Sequence, residues 1–211
     1  ALEVLSVRIE VEPFWNNKAH VYVIATIVSD RPGELRLAVF HHEDSAAIEE
    51  LTTTATMGNF ARLRHLWIKD RVMDSRDVPG EVREFARVEN VPLADMLRYG
   101  DGDAIVLCTA NEEDPASVTV DKSPIWTYRG PKLTQYWIVP AVHIQPDLRV
   151  NVNVRQRYWA SQIPIPGGKS FENFEVRQRY VPGQESVFGL TPLAPWEFKP
   201  RILNLSKPPA R

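Results

Sequence analysis

The stretch LRVNVNVRQRYWASQIPIPGGKSFENFEVRQRY, residues 148–180, carries the pattern that decides the fold. Apolar and polar side chains alternate in both of its arms, which is typical of half-buried strands. The pentapeptide VRQRY occurs in each arm, at 154–158 and 176–180. Prolines and glycines between the arms favour a loop. We therefore predict two neighbouring antiparallel strands, Leu148–Trp159 and Phe171–Tyr180, with the turn at Pro164–Gly168.

Segments of the same kind occur in the rest of the chain. Strands are predicted at Leu2–Val11, His20–Ser29, Glu34–His41, Phe60–Lys69, Asp103–Ala110, Leu133–Val139 and Ser186–Leu190. Short helices are predicted at Asp44–Leu51 and Val91–Arg98, and a long irregular excursion at Asp70–Asn90. No strand–helix–strand alternation is present, and 17 prolines count against a helical bundle.

The fold class that follows is all-β: an antiparallel β-sandwich or jelly roll with one or two short helices. We expect more than about 35% strand and less than about 15% helix, far from the usual averages. Residues 1–198 are predicted to form a single domain, and residues 199–211 an extended or frayed tail. Cys108, the single cysteine, is expected in the core as a small apolar residue.

Composition narrows the classes of function. The 211 residues include 25 Lys and Arg against 27 Asp and Glu, a net charge of −2, which does not favour a nucleic-acid partner. One cysteine permits neither an internal disulfide nor a multi-cysteine zinc site. No apolar run reaches the roughly 18 residues of a membrane span. The first residue is Ala1 instead of Met, from which we expect a periplasmic or secreted protein, with a cytoplasmic location left open.

The repeated arms place several polar residues on one predicted surface. A strand period of two puts Asn151, Asn153, Arg155, Arg157 and Trp159 on one face of the first arm. In the second arm, it puts Asn173, Glu175, Arg177 and Arg179 on one face together with Phe171. Four arginines then lie close together, and Glu175 can neutralise at most one of them. An anionic ligand is a natural neutraliser of the others, because guanidinium groups match carboxylate, sulfate and phosphate.

These residue types suggest carbohydrate recognition. Amides pair with sugar hydroxyls, an indole stacks on a sugar ring, and arginines hold acidic groups. The candidate substrate-binding residues are Arg155, Arg157, Trp159, Asn173, Glu175, Arg177 and Arg179. The leading hypothesis is a protein that binds or acts on an acidic polysaccharide, without a cofactor or metal.

If the protein also cleaves its ligand, β-elimination fits the residue types best, with His65, Tyr158 or Tyr180 as the base. Both tyrosines fall on the face opposite the arginines, which weakens that assignment. Glu172 and Glu175 are three positions apart and face opposite ways in a regular strand, which counts against a glycosidase pair. The alternatives are a solvated arginine face and a non-catalytic interaction module or accessory subunit with a protein partner.

Two other features have simple structural interpretations. His41 and His42 are adjacent in a predicted strand, so their side chains are expected on opposite faces and do not form a metal site. The loop Pro166–Lys169 lacks the spacing of a phosphate-binding loop.

Overall fold

A computed structural model describes residues 2–56, 63–78, 86–110, 133–157, 162, 164–165 and 167–198. These residues form an all-β, antiparallel fold, as predicted, with 59% strand, 9% helix and no helix of seven or more residues among them. Within the described residues, the strands are β1 (Val4–Glu10), β2 (Val21–Val28), β3 (Arg31–His41), β4 (Glu50–Thr56), β5 (Leu63–Ile68), β6 (Arg71–Asp74), β7 (Ala86–Pro92), β8 (Leu97–Tyr99), β9 (Asp103–Ala110), β10 (Thr134–Val139), β11 (Arg149–Arg155), β12 (Ser170–Arg179) and β13 (Gln184–Thr191). Single 3₁₀ turns occupy Ser75–Asp77, Leu93–Asp95, Ala141–His143 and Pro195–Phe198.

The strands follow one hydrogen-bonded path, β1-β2-β3-β13-β10-β9-β5-β12-β11-β7. Three strands lie off this path: β4 pairs with β12, β6 with β5 and β8 with β9. A single residue pair, Phe171 with Leu63, joins β12 to β5. We call the strands from β1 to β5 on this path the first sheet, and β4-β12-β11-β7 the second sheet.

The main hydrophobic core contains side chains from both sheets. The first sheet contributes Ala104, Val106 and Cys108 of β9 and Trp137 and Val139 of β10. The second sheet contributes Val150, Val152 and Val154 of β11 and Phe171, Phe174 and Val176 of β12. The two sheets therefore pack face to face around a shared core, the arrangement of a sandwich. Cys108 is buried in it, as expected.

A second apolar cluster lies on the other side of the first sheet, because side chains alternate along each strand. Ile105 and Leu107 of β9 pack there with Tyr136 and Ile138 of β10. Phe198 of the last 3₁₀ turn joins this cluster. The first sheet is therefore buried on both faces at its centre.

The predicted strand pair of the repeat is confirmed. Strand β11 pairs with β12 in antiparallel orientation, with Arg149 opposite Arg177 and Val150 opposite Val176. The first three predicted strands form an antiparallel meander, because β2 pairs with both β1 and β3.

The two predicted helices are wrong in different ways. Asp44 lies in a turn, and Glu50 and Leu51 belong to β4, because the Thr-rich segment pairs with β12. Within Val91–Arg98, only Leu93–Asp95 forms a helical turn, between β7 and β8. The predicted excursion Asp70–Asn90 contains β6 and most of β7. Pairing with neighbouring strands overrides the local pattern in these segments.

A β-bulge changes the predicted faces of β12. Val152 lies opposite Phe174 and Val154 opposite Phe171, so two residues of β12, Glu172 and Asn173, oppose one residue of β11. Phe171 consequently packs in the core beside Phe174 and not on the arginine face. A similar irregularity in β5, between Leu63 and His65, places Leu63 in the main core instead of on the side of Trp67.

Candidate functional site

The side of the second sheet opposite the main core carries polar side chains, several of them buried, and we call it the polar face. The even-numbered valines of β11 pack into the main core. Because side chains alternate along a strand, the odd-numbered residues of β11 lie on the opposite side of the sheet. One row crosses all four strands of this sheet. Thr54 of β4 lies beside Glu175 of β12, Glu175 beside Asn151 of β11, and Asn151 beside Asn90 of β7.

Glu175 holds two asparagines in this row. Asn151 Nδ2 donates a hydrogen bond to Glu175 Oε2 over 3.3 Å, and Asn153 Nδ2 donates to Glu175 Oε1 over 3.3 Å. Both asparagines are buried, with 5% and 3% of their surface exposed. The carboxylate therefore fixes the orientation of both amides.

Two amide oxygens on or beside this network have no hydrogen-bond donor among the described residues. They are Oδ1 of Asn153 and Oδ1 of Asn173, the second residue of the bulge. Asn173 is also buried, with 8% exposed. A buried acceptor without a donor typically costs about 1–3 kcal/mol. Both oxygens are buried, so they are unsatisfied acceptors inside the polar network and not groups open to solvent.

Three arginines of this face are neutralised by carboxylates of the chain itself. Arg155 forms a buried ion pair with Glu172, and Arg149 and Arg177 both bind the carboxylate of Glu50. Glu175, which could neutralise at most one arginine, accepts hydrogen bonds from the two asparagines. Glu50 was not predicted as a partner of the arginines because its segment was predicted to be helical. Glu172 was not predicted as a partner because a regular strand would place it on the opposite face.

The two neutralising carboxylates differ in electrostatic setting. Hydrogen bonds from Arg177 and then Arg149 lower the pKa of Glu50. Burial raises the pKa of Glu172, and this effect outweighs the opposing influence of Arg155. Glu50 is thus held as a carboxylate, whereas protonation of Glu172 is made easier.

The remaining arginines of the repeat are exposed. The guanidinium of Arg157 donates to the carbonyl of Gln162 over 2.9 Å. Arg179 Nη2 donates to Gln145 Oε1 over 3.3 Å, and the Arg179 backbone N–H donates to the Asp147 carboxylate. Their neighbours Tyr158 and Trp159 lie outside the described residues.

His65 and Tyr180 are placed away from the polar face. His65 Nε2 of β5 lies 3.6 Å from Asp74 Oδ2. The Tyr180 hydroxyl lies 3.1 Å from His41 Nδ1, and burial raises the pKa of Tyr180. The structure therefore does not bring these two candidate bases to the arginines, and Tyr158 lies outside the described residues.

Asp74 next to His65 is nevertheless held as a carboxylate. Burial alone would raise its pKa. Three hydrogen bonds from Arg76, from its backbone N–H, Nε and Nη2 at 2.7–3.0 Å, lower the pKa of Asp74 to about 2. The cluster of His65, Asp74 and Arg76 belongs to the first sheet, where it ties β5 to the 3₁₀ turn after β6.

The adjacent histidines have separate partners, as their strand position predicts. His41 contacts Tyr180, whereas His42 Nε2 lies 2.9 Å from Glu10 Oε2 and its ring stacks on His20. Among the described residues, no group of three or more His, Cys, Asp or Glu side chains is arranged to hold a metal ion.

Comparisons with protein families, with curated proteins and with solved structures found no match to this chain. No helix in the described part of the chain has the length and apolar character needed to cross a membrane.

Proposed function

We propose that this protein binds a polysaccharide on the polar face of the second sheet. The observation that carries the proposal is the amide network of Asn151, Asn153 and Glu175, which lies beside exposed polar side chains of β4 and β7. Sugars present closely spaced hydroxyl groups, each of which donates one hydrogen bond and accepts others. An oriented row of amides, flanked by the exposed residues Thr52, Thr54 and Asn90, suits such a ligand.

Acidic groups of the polysaccharide are proposed to bind at Arg157 and Arg179. Carboxylates of the chain already pair with Arg149, Arg155 and Arg177. An anionic ligand would therefore gain less binding energy from these three arginines. The two exposed arginines retain only carbonyl or amide partners among the contacts described above. In this proposal, neutral hydroxyls provide most of the contact and the two arginines provide preference for acidic polymers.

Hydrolysis is favoured over β-elimination if the protein also cleaves its ligand. The bulge brings Glu172 to the side of Arg155, so Glu172 and Glu175 share the polar face. Their environments differ. Burial raises the pKa of Glu172, whereas Glu175 accepts hydrogen bonds from two asparagine amides. Glycosidases use two carboxyl groups in different environments as acid and as nucleophile or base.

Titration calorimetry against neutral and acidic polysaccharides at two salt concentrations tests these proposals. Thr54→Val removes one exposed hydroxyl of the row, and Arg179→Ala removes one exposed cation. We expect each to weaken binding of an acidic polymer by about 1–3 kcal/mol, and only Thr54→Val to weaken binding of a neutral one. Thr26→Val on β2 of the first sheet is the matched control and should leave affinity unchanged.

The outcomes separate the parts of the proposal. Equal binding of neutral and acidic polymers rejects the acidic preference but keeps the glycan site. Absence of binding to every polymer rejects the function itself. Release of reducing ends that Glu175→Gln abolishes would add hydrolysis, whereas products with near-ultraviolet absorbance would indicate β-elimination instead.

A further inference from the structure

Strand β1 is exposed on both of its faces, unlike any other described strand with a complete burial assignment. It is the first strand of the hydrogen-bonded path, and within the described residues only β2 pairs with it. Of the eleven large apolar side chains that are exposed in the described part of the chain, seven lie between Leu2 and Trp15. Leu5 is 63% exposed, Ile9 46% and Trp15 86%. Exposed apolar surface concentrated on one sheet edge is typical of an interaction site.

The free edge of β1 has a defined set of backbone groups for pairing. The Ser29 N–H donates to the Glu3 carbonyl, and the Val11 N–H donates to the Val21 carbonyl. Hydrogen-bonded positions alternate along an antiparallel pair, so odd-numbered residues of β1 bond to β2. The even-numbered residues, among them Arg8 and Glu10, direct their N–H and C=O groups away from the sheet.

In one antiparallel register, the charged residues of this edge lie opposite residues of the other sign. When two copies pair antiparallel about a two-fold axis at Ile9, Ile9 lies opposite Ile9, and Val7 lies opposite Val11 of the second copy. On the other face, Arg8 lies opposite Glu10 of the second copy, twice by symmetry. The register centred one residue earlier would place Arg8 opposite Arg8, which like charges disfavour.

The same register gathers the other exposed apolar side chains. Leu5 is then beside Pro13 of the second copy, and pairing ends before Phe14, whose backbone N–H and C=O bond to Ala19 and Lys18 of its own chain. Trp15 follows directly, beyond the paired residues. Within one chain, Arg8 Nε already lies 2.5 Å from Glu10 Oε1, and the guanidinium lies 3.8 Å from the centre of the Tyr22 ring. The guanidinium and carboxylate are thus held on the outer face of the edge, where a second copy would meet them.

We propose that two copies of this chain associate through β1, which pairs with itself in antiparallel orientation about Ile9. Such an interface is isologous, since each copy contributes the same patch, and it closes without leaving a free β1 edge. It joins the first sheets of two chains into one larger sheet. The occupant is a second copy because both the charges and the apolar residues of this edge match their own two-fold image.

Charge reversal tests the pairing. Sedimentation equilibrium of the wild-type protein should give twice the chain mass of 24.1 kDa. Arg8→Glu and Glu10→Arg should each lower the association constant by about tenfold or more, because each places like charges opposite each other. The double variant Arg8→Glu with Glu10→Arg restores opposite charges and should return association to near the wild-type value. A mass of 24.1 kDa at all concentrations, or a dimer that neither reversal weakens, would overturn the proposal.

Cysteine cross-linking tests the register independently. Two Ile9→Cys chains would have facing Cα atoms about 4.5 Å apart, within the range of a disulfide. Leu5→Cys is the matched control, since Leu5 faces Pro13 and not itself. Native Cys108 is buried and does not contribute. Rapid oxidative cross-linking of Ile9→Cys but not of Leu5→Cys supports the register, and the reverse result overturns it. Far-ultraviolet circular dichroism checks that each variant keeps the strand-rich fold.

Discussion

At the scale of single residues, the charge on Asp74 is a source of stability. Its pKa in the folded chain is about 2, below the usual value of 3.8. The ionised carboxylate therefore makes its full contribution to the free energy of unfolding above about pH 4. This contribution is lost as the pH falls towards 2. The shift corresponds to about 2 kcal/mol.

The variant Asp74→Asn should therefore lose about 2 kcal/mol of unfolding free energy at pH 7 and much less near pH 2. Urea unfolding at the two pH values measures this difference. Asp101→Asn, at an exposed turn, is the control and should change little at either pH. An equal loss for Asp74→Asn at both pH values would show that the charge has no such role.

The buried pair of Arg155 and Glu172 gives a second prediction at this scale. Each side chain is about 95% buried, so removing one charge leaves the other in a poorly solvated site. Glu172→Leu or Arg155→Met alone should cost about 3–5 kcal/mol of unfolding free energy. The double variant Glu172→Leu with Arg155→Met should cost less than the sum of the two single changes. Strict additivity in urea unfolding would argue against direct coupling.

Sequence reasoning located most of the polar residues but not their partners. The period of two correctly places Asn151, Asn153 and Arg155 together, since β11 is regular at these positions. It does not identify Glu50 as the partner of Arg177, because the two are separated by 127 positions and meet only through the pairing of β4 with β12. Ion pairs between distant strands follow from topology, which a local pattern does not contain.

At the scale of elements, the bulge in β12 determines which groups face outward. One extra residue moves Phe171 into the core and Glu172 to Arg155. The sequence FENFE, residues 171–175, indicates the bulge. Its two phenylalanines are three positions apart, and only a bulge places both on the core side of the strand. The same reasoning explains why Leu63 and Leu66 share the core of β5.

A close contact between β10 and β13 gives a prediction at the scale of paired strands. Gly189 lies opposite Tyr136, and a Cβ atom at Gly189 would lie 2.0 Å from the tyrosine ring. The ring is fixed, because its hydroxyl donates to Glu34 Oε1 over 3.0 Å. Gly189→Ala should therefore cost about 1–3 kcal/mol of unfolding free energy through overpacking.

A double-mutant cycle with Tyr136→Ala checks the cause of that loss. In the Tyr136→Ala background the ring is absent, so Gly189→Ala should cost only a few tenths of a kcal/mol. Gly100→Ala is a second glycine control: its φ is positive at 55°, but no atom lies within 4 Å of the added Cβ. It should cost about 1 kcal/mol through backbone strain alone. A Gly189→Ala cost that persists without the ring would contradict this account.

At the scale of the whole molecule, the sandwich gives the two outer surfaces different characters. The second sheet presents the polar face, whereas the first sheet extends to the apolar edge at β1. The sequence predicted the fold class because nine predicted strand segments leave little room for helices. It did not predict the order of the strands, because that order depends on contacts such as β3 with β13 across nearly the whole chain.

The central claim is that the polar face binds a polysaccharide, and mapping a bound glycan by nuclear magnetic resonance tests it most directly. The ¹⁵N–¹H spectrum would be recorded during titration with oligosaccharides from acidic and neutral polymers. We expect the largest shifts at the side-chain amides of Asn151 and Asn153 and at the backbone of β4, β11 and β12. Shifts confined to the first sheet, or none at saturating oligosaccharide, would contradict the claim.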